Sequence, residues 1–246
     1  MSQISESGHG KNVANFEDLI SFCTGYGAAY NPSKGSIKIS ALNAALTNAR
    51  NALLAVTNAL TAFNLAVNAR RTAFLPLSKL SVRILNALSA TDASELTIDD
   101  AKGIVRKING RRASEKLPSL PDDPNTPENE THASISASQK SYDSQVEHFS
   151  RLKDLLANEP SYLPNESDLK VASLNTLIAD LKVKKTALLT AATLLSNARI
   201  SRNDILFKKD TGLTDFALEV KSYVKSVFGS SSPQFKQISR LSFSRK

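Results

Sequence analysis

The chain has 246 residues, of which 41% are hydrophobic, nine are Gly, nine are Pro and none is Trp, a composition typical of a soluble helical protein rather than a sandwich or barrel. The single cysteine, Cys23, excludes a disulfide framework and a cysteine zinc site. The formal net charge is +8, yet residues 113–132 hold one Lys against two Asp and three Glu, so the rest of the chain is more strongly basic.

The N-terminal segment, residues 1–12, is polar and has no apolar signal core. We expect this segment to be disordered. The most lipid-compatible stretch, residues 187–195, is shorter than the roughly 20 residues that a membrane-spanning helix needs. These features predict a cytoplasmic protein without integral membrane association.

The first half of the chain is dominated by a long apolar stripe. From Ile39 to Phe74, apolar residues recur in alternating steps of three and four, and Ala flanks the stripe in five successive heptads. This pattern predicts one helix of about 38 residues and about 57 Å, packed closely against several helices rather than in a free coiled coil. Pro76 is expected to end this helix, and a kinked continuation through Pro76 is the alternative.

Basic segments close both halves of the chain. The first, residues 101–112, belongs to a predicted short helix that Thr97 caps, with Asp99 and Asp100 in the first turn. The last ten residues alternate polar and apolar side chains, which fits either a short strand or a docked tail.

Residues 113–132 are acidic and rich in proline, and they read as a linker between two related halves, residues 13–112 and 133–246. From Ile37 to Phe74 the second half follows the first at a constant offset of 132 without a gap. Each long helix is preceded by a Tyr-x-Pro loop that we expect to fix the turn. The loop residues are Tyr30, Pro32, Tyr162 and Pro164.

The segments YNPSKGSIKISALN, YLPNESDLKVASLN, SNARISRNDILF and VKSYVKSVFGSSSPQFKQISRLSF resemble a group of uncharacterised, all-helical tandem-repeat proteins of flavobacteria-like bacteria. The resemblance covers nearly the whole chain. It implies no established activity, cofactor or catalytic residue. With the periodicity, it predicts an all-α, elongated helical bundle of two halves related by a pseudo-two-fold axis.

Catalytic chemistry finds little support in the sequence. His9 and His132 fall in segments expected to be flexible, and His148 is expected to lie solvated on a helix beside Glu147. The chain lacks the two Glu-x-x-His pairs of a bundle di-iron site, and the glycine-containing loop 25–36 lacks phosphate-loop spacing. We therefore predict a non-enzymatic protein with no catalytic residue, no metal site and no cofactor.

Two arginines occupy the core register of the long helices. Arg70 and Arg202 fit either a buried site for an anion or a partner carboxylate, or side chains that extend to water at a bundle end. The basic ends of the halves are candidate contacts for nucleic acid or a partner, or else a solvated surface. These basic residues are Arg106, Lys107, Arg111, Arg112, Lys236, Arg240, Arg245 and Lys246.

The function that these features favour is a structural or protein-interaction module that presents an elongated helical surface to a protein partner. Binding of nucleic acid or another anionic polymer through the basic ends is the alternative. A membrane-active or pore-forming role is a third interpretation, disfavoured because the sequence shows no apolar tongue of about 20 residues.

Overall fold

The computed structural model describes residues 7–111 and 140–244, which form helices joined by turns and contain no strand. The all-α class is therefore confirmed. The whole predicted linker, residues 113–132 with His132, lies outside the described residues, and so do Arg112, Arg245 and Lys246. The described helices are α1 (Ser7–Gly25), α2 (Ile39–Phe74), α3 (Leu77–Ser89), α4 (Glu95–Ile108), α5 (Tyr142–Ala157), α6 (Val171–Phe207), α7 (Leu213–Phe228) and α8 (Pro233–Ser239).

The long helices α2 and α6 have 36 and 37 residues. Their length follows from long runs of Ala and Leu without an internal Gly or Pro. The interruption after α2 is shorter than the sequence predicts, because Pro76 keeps helical dihedral angles, with φ −77° and ψ −14°. The Leu80 N–H donates to the Pro76 carbonyl at 2.9 Å, so helical structure resumes at once as α3.

The first compact unit comprises Met1–Leu65 and Leu189–Lys246, and thus α1, the first part of α2, the last part of α6, α7 and α8. Phe16, Leu42 and Val220 are fully buried in its core. The C-terminal residues pack along α1 as a docked tail. The Asn12 Nδ2 group donates to the Ser244 carbonyl at 3.0 Å, and the Ser244 N–H donates to Asn12 Oδ1 at 3.1 Å.

The second compact unit comprises Ala66–Leu188, and thus the last part of α2, α3, α4, α5 and the first part of α6. Its core is also continuous and apolar, with Leu77, Ile84, Phe149 and Leu181 fully buried. Both units therefore combine helices from the two halves of the sequence. This follows from the length of α2 and α6, because the start of one and the end of the other belong to each unit.

Two local expectations are wrong. Residues 7–12, expected to be disordered, belong to α1, where His9 and Asn12 are buried with 2% and 1% exposure. Ser94 rather than Thr97 caps α4: the Ser94 hydroxyl accepts a hydrogen bond from the Thr97 N–H at 3.1 Å. Thr97 is the third residue of the helix, so its backbone N–H is one of the donors that a cap satisfies.

Candidate functional site

The two Tyr-x-Pro loops have matching geometry. The Tyr30 hydroxyl donates to the Ile37 carbonyl at 2.7 Å, and the Tyr162 hydroxyl donates to the Leu169 carbonyl at 3.0 Å. Both tyrosines are buried, and each carbonyl lies just before a long helix. Pro32 is buried and Pro164 is half-buried in the corresponding loops. These loops are thus structural elements that set the entry into α2 and α6.

Cys23 lies beside the first of these loops. Its side chain is 1% exposed, and burial raises the pKa of the thiol to about 12, against a smaller opposing effect of a hydrogen bond with Tyr30. A thiol of this kind holds its proton at neutral pH and is a poor nucleophile.

Arg70 belongs to the second unit, where its guanidinium carbon lies 4.0 Å from the centre of the Tyr142 ring. Tyr142 in turn packs edge-on against Phe74, with ring centres 4.7 Å apart. Arg70 Nε is buried and has no hydrogen-bond partner among the described residues. The surroundings of this arginine are aromatic, which suits a cation–π contact.

Arg202 belongs to the first unit and is 1% exposed, so it does not extend to water as one interpretation of the sequence predicted. Its Nε and Nη2 groups donate to Asn203 Oδ1 at 3.2 and 3.0 Å. The contacts that the structure shows for Arg70 and Arg202 thus lie within separate units.

The basic ends of the halves also belong to separate units. Lys236 and Arg240 are exposed on and after α8 in the first unit. In the second unit, Arg106 and Lys107 line a groove of about 450 Å³ between α4 and α5. Arg111 follows α4 and is exposed.

The α4/α5 groove, named here for its two helices, holds residues that the sequence did not single out. Arg151 of α5 adds a third cation, and its Nη2 group pairs with Glu147 at 2.5 Å. The remaining lining residues are Asp99, Asp100, Gly103, Ile104 and Leu155.

His148 is buried between these helices rather than solvated. Its side chain is 6% exposed, and neither ring nitrogen has a hydrogen-bond partner among the described residues. Burial lowers the pKa of the imidazole, and the positive charge of Lys107 lowers it further. The sequence signal was available, because His148 lies next to the buried Phe149 and four residues before the buried Leu152, a spacing that places residues on one helix face.

The long helices of the first unit expose large apolar side chains. On α2, Leu54 and Leu65 are 58% and 64% exposed, and α2 carries no charged residue between Arg50 and Arg70. On α6, the exposed apolar residues are Leu189, Leu194 and Ile200, with 67%, 57% and 57% exposure.

The segment Ile39–Ser89 is, within the described residues, the one helix long and apolar enough to cross a membrane by length and composition. This segment, rather than residues 187–195, is therefore the most lipid-compatible part of the described chain, which corrects the expectation from the sequence. Only 11% of the most apolar 18-residue window of Ile39–Ser89 is buried. One such helix is weak evidence for a membrane span, since core helices of soluble proteins meet the same criterion.

Within residues 7–111 and 140–244, no group of three or more His, Cys, Asp or Glu side chains could hold a metal ion. Comparison with protein-family models, curated proteins and solved structures finds no match to this chain.

Proposed function

We propose that the protein is a non-enzymatic, cytoplasmic structural or interaction module that binds a protein partner through the exposed faces of α2 and α6. The observation that carries this proposal is the exposure of Leu54 and Leu65 within a stretch of α2 that has no charge. Helix faces in contact with water normally carry charged side chains, and exposed apolar surface marks interaction sites.

The neighbouring threonines make the same faces less polar. The Thr57 hydroxyl donates to the Leu53 carbonyl at 3.1 Å, and the Thr61 hydroxyl donates to the Thr57 carbonyl at 3.0 Å. On α6, the Thr193 hydroxyl donates to the Leu189 carbonyl at 3.0 Å. Because these hydroxyl protons are already used within the helix, burying the face against a partner leaves fewer polar groups without a hydrogen bond.

Charge placed on the α2 face tests the proposal. The double variant Leu54→Lys with Leu65→Lys should lose cross-linked protein partners in extracts of the native host. The matched control is Ala44→Lys with Asn48→Lys, which adds the same charge at exposed positions nearer the start of α2. All four sites are exposed, so unfolding free energies should stay within about 0.5 kcal/mol of wild type. Retention of every partner by the Leu variant would overturn the proposal.

Binding of nucleic acid or another anionic polymer is the second candidate. It is favoured by the convergence of Arg106, Lys107 and Arg151 on one groove. Mixed-sequence RNA or DNA should then bind at low salt, with an affinity that falls steeply as salt increases. Absence of binding at low salt would remove this candidate.

We also infer that the chain arose from two related halves with pseudo-two-fold symmetry. Matching tyrosine hydrogen bonds support this relation, since both span seven residues and precede helices of 36 and 37 residues. One groove in each unit also supports this relation. Phe22 lines the groove of the first unit, and Leu155, at the same place in the repeat, lines the α4/α5 groove.

A further inference from the structure

The α4/α5 groove has the size of a small-molecule site, at about 450 Å³. Its charges are segregated along α4. Asp99 and Asp100 lie near the helix start, whereas Arg106 and Lys107 lie in the last turn. Asp99 is paired with Lys102 at 2.8 Å, whereas Arg106 and Lys107 form no ion pair with another described residue. Positive charge is therefore uncompensated at one end of the groove.

His148 lies on the groove side of α5. His148, Arg151 and Leu155 are spaced by three and four residues, so they share one helix face, and the last two line the groove. The imidazole is 6% exposed and both nitrogens lack a hydrogen-bond partner among the described residues. Buried polar groups in native proteins are nearly always hydrogen-bonded, whereas this imidazole lies unpartnered behind the groove lining, where its titration responds to charge bound in the groove.

Gly103 keeps the middle of the groove open. A glycine in a helix interior costs about 1 kcal/mol relative to alanine. A Cβ atom at Gly103 would meet nothing within 4 Å, so packing inside the chain does not require glycine here. The missing side chain instead leaves space over the groove floor.

We propose that the basic end of the α4/α5 groove binds the phosphate group of a small molecule, with Arg106, Lys107 and Arg151 as cationic contacts and the buried imidazole of His148 behind them as a neighbouring group that the bound charge affects. A phosphate dianion suits this site better than a carboxylate, because it has more acceptor oxygens and more charge for three cations. Asp99 and Asp100 repel an anion from the other end and confine it near Lys107. This site is separate from the α2 and α6 faces, so this proposal and the protein-interaction proposal can each fail alone, whereas the anionic-polymer candidate uses the same three cations.

The bound anion also changes the titration of His148. The charged groups that face the imidazole are Lys107 from α4, and Glu147 and Arg151 from its own helix. Burial and the two cations lower the pKa of His148 in the unliganded protein, whereas Glu147 raises it. A neighbouring phosphate favours the imidazolium, so ligand binding raises the pKa of His148.

The test is an NMR titration of the full chain with inorganic phosphate, observing the imidazole protons of His148, which the His148→Gln variant assigns. We expect a saturable shift and a higher pKa of His148 with phosphate, but not with sodium chloride at equal ionic strength. Lys107→Met should weaken phosphate binding about tenfold or more, because it removes a charged hydrogen bond. Lys102→Met is the matched control: Lys102 is exposed on the same helix but does not line the groove.

Three outcomes would overturn the proposal: no phosphate-dependent shift of His148, an equal shift with chloride, or equal losses in the Lys107→Met and Lys102→Met variants. The variant Gly103→Leu gives an independent check, since its side chain would occupy the groove. It should abolish the phosphate response without lowering the unfolding temperature, and an intact response would contradict the assigned position.

Discussion

Tyr30 and Tyr162 show how a single hydroxyl sets the start of a long helix. Each donates to a carbonyl seven residues later, immediately before α2 or α6. Burial also raises the pKa of Tyr162 to about 12, with smaller contributions from Asp168 and Glu166, so the hydroxyl keeps its proton well above the usual range.

The substitutions Tyr30→Phe and Tyr162→Phe should each lower the free energy of unfolding by about 1 to 2 kcal/mol, because each leaves a buried carbonyl with one acceptor position unfilled. Urea unfolding followed by circular dichroism measures this loss. The control Tyr223→Phe, at a half-buried tyrosine, removes an exposed hydrogen bond in which the hydroxyl accepts from the Asn31 N–H, and it should cost less. Equal stability of all three variants and wild type would show that these hydroxyls do not hold the loops.

At the residue scale, sequence reasoning found the tyrosines, left the burial of Arg202 open and misjudged His148. Tyr30 and Tyr162 were detectable because the repeat places them at equivalent positions. Arg202 and His148 were harder, since a charged residue in a core register can either reach water or be buried with a polar neighbour. Asn203, which accepts from the Arg202 guanidinium, follows in sequence, but no periodicity specifies that contact.

At the element scale, apolar steps of three and four predicted a long helix up to Phe74, because such steps admit one helix face, but α2 begins at Ile39 and has 36 residues rather than about 38. The ends were less predictable. Ser94 and Thr97 are both suitable caps by residue type, and only backbone geometry selects Ser94. Pro76 lies in the position where a proline tolerates helical dihedral angles, so α3 follows almost without a break.

Two glycines of one helical region should respond in opposite ways to alanine. Gly103 lies inside α4 with open space around it, so Gly103→Ala should raise the free energy of unfolding by about 0.5 to 1 kcal/mol. Gly110 follows α4 with φ 65°, and its N–H donates to the Lys107 carbonyl at 3.0 Å in a helix-ending turn. Gly110→Ala should therefore lower the free energy of unfolding by about 1 to 2 kcal/mol. Thermal unfolding measures the stability of both variants. Stability changes of the same sign for Gly103→Ala and Gly110→Ala would refute the different roles given to these two glycines.

At the scale of the whole molecule, the compact units cut across the two sequence halves. The first unit takes the start of α2 and the end of α6, and the second takes the end of α2 and the start of α6. The sequence predicted two related halves, but a heptad stripe specifies only which helix face is buried. It does not specify which helices cover that face, so the composition of the units required the three-dimensional structure.

The assignment of helices from both halves to each compact unit can be tested directly by cleaving the chain between the two halves. A protease site inserted within residues 113–132 allows the folded chain to be cleaved and then examined by size-exclusion chromatography and thermal unfolding. We predict that the two fragments remain associated and unfold cooperatively together, because each unit contains helices of both. Fragments that separate, each with its own cooperative unfolding transition, would contradict the shared units.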